Sequence, residues 1–98
     1  DIHEAFTWVR HGRRDKLAQF CKHGFDVDMR NDFGHSLAMV AAQNNQKGVL
    51  KVLHRFGVSI NDQDYRGNTA LHYATQYGYT VLGEYMIKKL GADEAVVN

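Results

Sequence analysis

Six histidines and one cysteine are the side chains of this 98-residue chain best equipped for chemistry, and their spacing limits what they can do. No two of His3, His11, His23, His35, His54 and His72 stand in H-x3-H spacing with a Cys or acidic partner, as a zinc site on a helix requires. His11 and His35 could approach each other across the fold, but two ligands do not make a metal centre. Cys21 falls on an inward-facing helical position, where a thiol acts as a small apolar side chain. A lone cysteine also excludes an internal disulfide framework and fits a reducing compartment. No nucleophile–base pairing, paired-carboxylate pattern or glycine-rich phosphate loop is present. The expectation is therefore no catalytic residue, no metal, no cofactor and no enzymatic activity. The cluster Arg13-Arg14 with Lys16, opposed by Asp15, reads as solvated helix surface. A net charge of +1 with interspersed signs argues against nucleic acid or an anionic membrane as partner. No apolar run approaches the ~18 residues of a membrane span, and no signal-peptide pattern opens the chain.

What spaces the glycines is an internal repeat. Shifted by 33 residues, Gly34-His-Ser-Leu-Ala-Met-Val-Ala41 falls on Gly67-Asn-Thr-Ala-Leu-His-Tyr-Ala74. Phe20 falls on Leu53 and Met86, Gly12 on Asn45 and Gly78, and Gly24–Asp28 on Gly57–Asn61. A fixed period of this length implies stacked supersecondary units that bury neighbour against neighbour. In the third unit, Tyr65–Asn68 is a turn and Thr69 a helix N-cap. Ala70, Leu71, Ala74 and Thr75 then form the buried face of a short helix that ends at Gly78. A second helix over roughly 80–90 buries Leu82, Met86 and Ile87 and closes at Gly91. It runs one residue longer than its counterpart, which predicts a bulge or a longer helix between Glu84 and Leu90.

The second unit repeats this plan with Ser36 as cap. Leu37, Ala38, Ala41 and Ala42 face inward, Asn45 takes the left-handed position, and Val49, Leu50 and Leu53 line the outer helix. In the first unit Ala5, Phe6, Trp8 and Val9 occupy the inner helix and Leu17, Phe20 and Cys21 the outer. Gly48 and Gly83 lie inside outer helices, where they permit close packing at a cost of ~1 kcal/mol each. His54, matching Cys21, is expected to turn its helix face toward Cys21 or Ile87.

The run Gly67–Ala74, the apolar outer-helix pair and Gly57-Val-Ser-Ile-Asn61 resemble the ankyrin repeat, whose signature is T-P-L-H-x-A on this period. The resemblance covers essentially the whole chain. It implies an all-α repeat solenoid of three stacked helix-turn-helix units joined by turn or β-hairpin-like loops. The units run 1–33, 34–66 and 67–98. Asp1 in place of Met, and a last stretch that stops where another unit would begin, read as a piece of a longer array. In ankyrin proteins the His matched by His72 bonds the Thr hydroxyl and nearby backbone; Met39 stands there in the second unit and implies a looser turn. Asn61, with Leu53 eight residues before it and Ile60 adjacent, resembles the asparagines hydroxylated in such repeats, although Ser59 replaces the usual acidic residue. An ordering of the turn through its side chain is the alternative.

Turn tips and the concave side of the inner helices carry partners in ankyrin proteins. By resemblance that surface comprises Arg10, His11, Asp32, Phe33, His35, Gln43, Asn44, Tyr65, Arg66, Asn68, Gln76 and Tyr77. Exposed aromatics beside Arg and amides suit a polypeptide ligand, although Phe33 and Tyr65 could also serve to brace adjacent turns. The expected function is an intracellular, cytoplasmic or nuclear, protein–protein interaction module, monomeric with end-to-end association open to Val96 and Val97. The alternative is a regulatory or spacer segment of a larger multidomain enzyme or membrane protein.

Overall fold

The computed structural model describes residues 2–98, with side chains from His3 onward. Six helices appear among them: α1 (Ile2–Arg10), α2 (Arg14–Lys22), α3 (Leu37–Gln43), α4 (Lys47–Arg55), α5 (Ala70–Gln76) and α6 (Thr80–Leu90). They form three antiparallel pairs in two layers. The inner layer runs α1, α3, α5 and the outer layer α2, α4, α6, so that α3 is flanked by α1 and α5 and α4 by α2 and α6. The described residues hold no strand; an isolated antiparallel bridge between Arg30 and Ser36 marks the hairpin-like tip before α3.

Local chemistry explains where each helix begins and ends. Ser36 and Thr69 have extended backbones, and their hydroxyls accept from the backbone N–H of Met39 and His72. Each hydroxyl thus satisfies one otherwise unpaired donor of the first turn. His72 returns the favour: its Nδ1 accepts from the Thr69 N–H at 2.8 Å while its Nε2 meets the Val96 carbonyl at 2.9 Å. Nδ1 therefore carries no proton, and Nε2–H donates. In the second unit the Ser36 N–H reaches only the Met39 sulfur, at 3.4 Å, a weak acceptor. Asn45, at φ 55°, takes the left-handed position that Gly78 takes at φ 74°.

Small residues on the inner helices let them approach closely. Ala5, Val9, Leu37, Ala38, Ala41, Ala42, Ala70 and Ala74 are buried there, against Leu17, Val49, Leu50, Leu53, Leu82, Met86 and Leu90 from the outer layer. At the N-terminal pair the bulk is aromatic: Trp8 meets Phe20 edge-on, and Phe25 stacks on Phe20 at 4.1 Å. The extra residue of the third unit is absorbed as length, since α6 has 11 residues against 9 in α4.

Three expectations about packing need correction. Thr75 is exposed, because α5 packs against α3 and α6 and neither covers this side of it. Ile87 is only half-buried, since α6 packs against α4 and α5 on one side. His54 is exposed and makes no side-chain hydrogen bond among the described residues, so the expected polar contact with Cys21 or Ile87 does not form.

Hydrogen bonds repeat along the stack as the side chains do. Gln46 Nε2 donates to the Arg10 carbonyl at 3.1 Å, and 33 residues later the Tyr79 hydroxyl donates to the Gln43 carbonyl at 3.2 Å. At the opposite edge Arg30 donates to the Gly34 and Gln63 carbonyls, and Gln63 to those of Gly67 and Val97. Each unit thereby holds the exposed backbone of its neighbour, which fixes the register of the tips.

Candidate functional site

The two turn tips that precede α3 and α5 are built around an Asx residue. Asn31 Oδ1 accepts from the N–H of Phe33 and His35, and Asp64 Oδ1 accepts from the N–H of Arg66 and Asn68. This turn closes the tip and throws residues 32, 33, 65 and 66 outward. Tyr65 leans back over the preceding tip. A Cβ built on Gly34 would lie 2.7 Å from its ring, so the aromatic face rests on bare backbone.

Between the tips and the inner helices lies a hollow of about 640 Å³. Asp32, Phe33, His35, Gln43, Tyr65, Arg66, Gln76 and Tyr77 line it, which brings eight of the twelve sequence-derived residues to one place. Phe33, Tyr65 and Tyr77 are 74, 82 and 56 % exposed. Arg10 lies in an adjacent hollow that shares Asp32 and Phe33. His11 is exposed beyond the end of α1 and lines neither hollow. Asn44 is half-buried and spends its amide on the Val40 carbonyl at 2.8 Å, closing the end of α3. Asn68 is turned inward, 8 % exposed, with its side-chain oxygen taking a bond from Asn98. Asn61 is exposed and bridges the Gly91 carbonyl and the Asp93 N–H, ordering the neighbouring loop.

The floor of the hollow holds two residues that the sequence reading missed. The buried Asp64 receives the Tyr73 hydroxyl on Oδ2, and His35 Nε2 stands 3.4 Å from that hydroxyl and 3.7 Å from Oδ2. Tyr73 has one proton and gives it to Asp64, so its oxygen is free to accept from His35, which places a proton on Nε2. Burial alone would raise the Asp64 pKa. The hydrogen bonds from Tyr73, Asn68 and Arg66, with His35 nearby, outweigh it and hold the carboxyl below its ordinary value. Burial, and then the bond to Asp64, push the Tyr73 phenol up. Asp64 was visible in the sequence as the counterpart of Asn31. Tyr73 was not, because Val40 stands at its repeat position and carries no polar atom.

Chemically this arrangement is a concave surface whose tips are fixed by internal hydrogen bonds. The Tyr73 proton is engaged, and the Asp64 carboxylate accepts three bonds, so both groups are held within the floor of the hollow. Among the described residues no group of three or more His, Cys, Asp or Glu is placed to hold a metal. Cys21 is buried, and its thiol is pushed up by desolvation.

A sequence-family model described as ankyrin repeats, in three copies, matches residues 3–98. The chain belongs to the ankyrin-repeat family. Ankyrin repeats are in general protein–protein interaction modules, and domains of this type are typically non-catalytic. The paired helices, capped inner-helix starts and aligned tips are the physical content of that membership. No described helix is long and apolar enough to cross a membrane.

Proposed function

We propose that this ankyrin chain binds a polypeptide partner in the hollow between the tips and the inner helices, centred on Phe33, Tyr65 and Tyr77. The observation that carries this reading is the convergence of three exposed aromatic rings on one concavity whose backbone is fixed from within. Exposed aromatic surface backed by rigid structure is what interaction hot spots share. Because the Asx turns and the Asp64–Tyr73–His35 cluster already hold the tips, little ordering cost falls on binding. In this reading Arg10, Asp32, His35, Gln43, Arg66 and Gln76 surround the aromatic centre, Asn44 and Asn68 brace the backbone behind it, and His11 lies beyond it. The units are 1–33, 34–66 and 67–98, and the compartment is intracellular.

The test is the double substitution Tyr65→Ala/Tyr77→Ala. It should weaken capture of the partner recovered with the intact protein by at least tenfold and leave far-UV circular dichroism unchanged. Unaltered affinity in a folded double variant refutes the assignment of this surface.

A further inference from the structure

The charged groups near the tips fall into two sets. Most are consumed internally. Arg30 serves two carbonyls and faces Asp62 at 3.6 Å, Asp28 accepts from the Ser59 N–H and hydroxyl, and Asp64 is closed into its cluster. Two are not. The Asp32 carboxylate and the Arg66 guanidinium line the same hollow, and among the described residues neither makes a side-chain hydrogen bond or an ion pair. They belong to successive tips and do not close on each other. Phe33 and Tyr65, each next in sequence to one of the charges, line the same hollow and offer apolar contact beside them.

Neighbouring inner helices pack about 8–10 Å apart. A polyproline-II segment rises about 3.1 Å per residue and returns to the same side every three. Side chains about three residues apart on such a segment therefore match the repeat of the tips. We infer that the hollow selects an extended peptide carrying a basic side chain opposite Asp32 and an acidic one opposite Arg66, about three residues apart, with an apolar residue between them against the aromatic rings. This rests on the protein-binding reading and adds its specificity. Opposite charges on successive tips set the partner's direction and reject a segment of uniform charge, since one end would then face its like.

The experiment is selection of a displayed library of random 12-residue peptides on the intact chain, followed by affinity measurement on the enriched peptides made synthetically. Enriched peptides should carry a basic and an acidic residue two to four apart. Arg66→Glu should weaken them tenfold or more, and replacing the peptide's acidic residue by Lys should restore binding to that variant. Lys88→Glu, the same change in net charge on the exposed side of α6, should have no effect. Loss without rescue, an equal loss in Lys88→Glu, or enriched peptides lacking the charge pair overturns the inference. If those peptides still depend on Tyr65 and Tyr77, the wider reading survives. Enriched peptides indifferent to Tyr65→Ala/Tyr77→Ala, or no enrichment at all, overturn both.

Discussion

Asp64 accepts three hydrogen bonds with one carboxylate, two from the backbone of its own tip and one from Tyr73 on α5. Its counterpart Asn31 performs the backbone part of that task without a charge. Asp64→Asn should therefore still close the turn while weakening the Tyr73 and His35 contacts. The pH dependence follows from the direction of the shift. Asp64 has a folded pKa below its unfolded value near 3.8, so the stability it contributes is complete above that value and is lost as pH falls through the folded pKa. Tyr73, raised above 10.0, contributes stability that is present below its unfolded pKa and lost as pH rises through the folded one. Urea midpoints measured from pH 7 down to 2.5 should fall more steeply below about pH 4 in the wild type than in Asp64→Asn. Parallel curves would mean the carboxylate carries no such linkage.

At the scale of the helices, positions 50 and 83 are repeat equivalents with opposite demands. Leu50 is fully buried on α4, which packs against both α2 and α6. Gly83 sits on α6, whose neighbours in the stack lie on one side, and a Cβ there would meet nothing nearer than Leu71 Cδ1 at 3.7 Å. Leu50→Ala should cost about 2–5 kcal/mol through lost burial and a residual cavity. Gly83→Ala should gain about 1 kcal/mol, since it improves helix propensity without crowding. Chemical denaturation of the two variants checks both signs. Gly48 fits the sequence expectation of close packing better: a Cβ there would lie 2.5 Å from Arg14 Cδ, which crosses α4 at that point.

The elements themselves were legible in the sequence because their signals are local. Caps at Ser36 and Thr69, the left-handed Asn45 and the apolar spacing of each helix need only a few neighbouring residues to be read. The site was legible only in part. Asp32, Phe33, Tyr65, Arg66 and Tyr77 come from mapping the ankyrin resemblance onto the tips and inner helices. The pairing of His35 with Tyr73 spans 38 residues and has no counterpart in the preceding unit, so periodicity could not reveal it. Thr75 and Ile87 misled for a related reason, since repeat position states which face a residue occupies and not whether anything covers it.

For the molecule as a whole, a stack in which each pair touches only its neighbours should not be uniformly stable. The α3–α4 pair is covered on both sides, and the outer pairs on one. Native-state hydrogen exchange should find the slowest amides in α3 and α4 and faster exchange in α1, α2, α5 and α6. Uniform protection across all six helices would show a single cooperative unit instead. The ties from Gln46 to Arg10 and from Tyr79 to Gln43 lie at the inner-helix ends, and those of Arg30 and Gln63 at the tips. Fraying of an outer pair must therefore break bonds at both edges, which limits the angle through which the concave face can flex.

The Tyr65 ring resting on the bare backbone of Gly34 couples two consecutive loops through a single flat contact. A ligand that grips the outer face of that ring presses it against residue 34 and so tightens the joint between the second and third modules. Occupancy and stiffness then rise together: the bound molecule should unfold as a more nearly unified body than the free one.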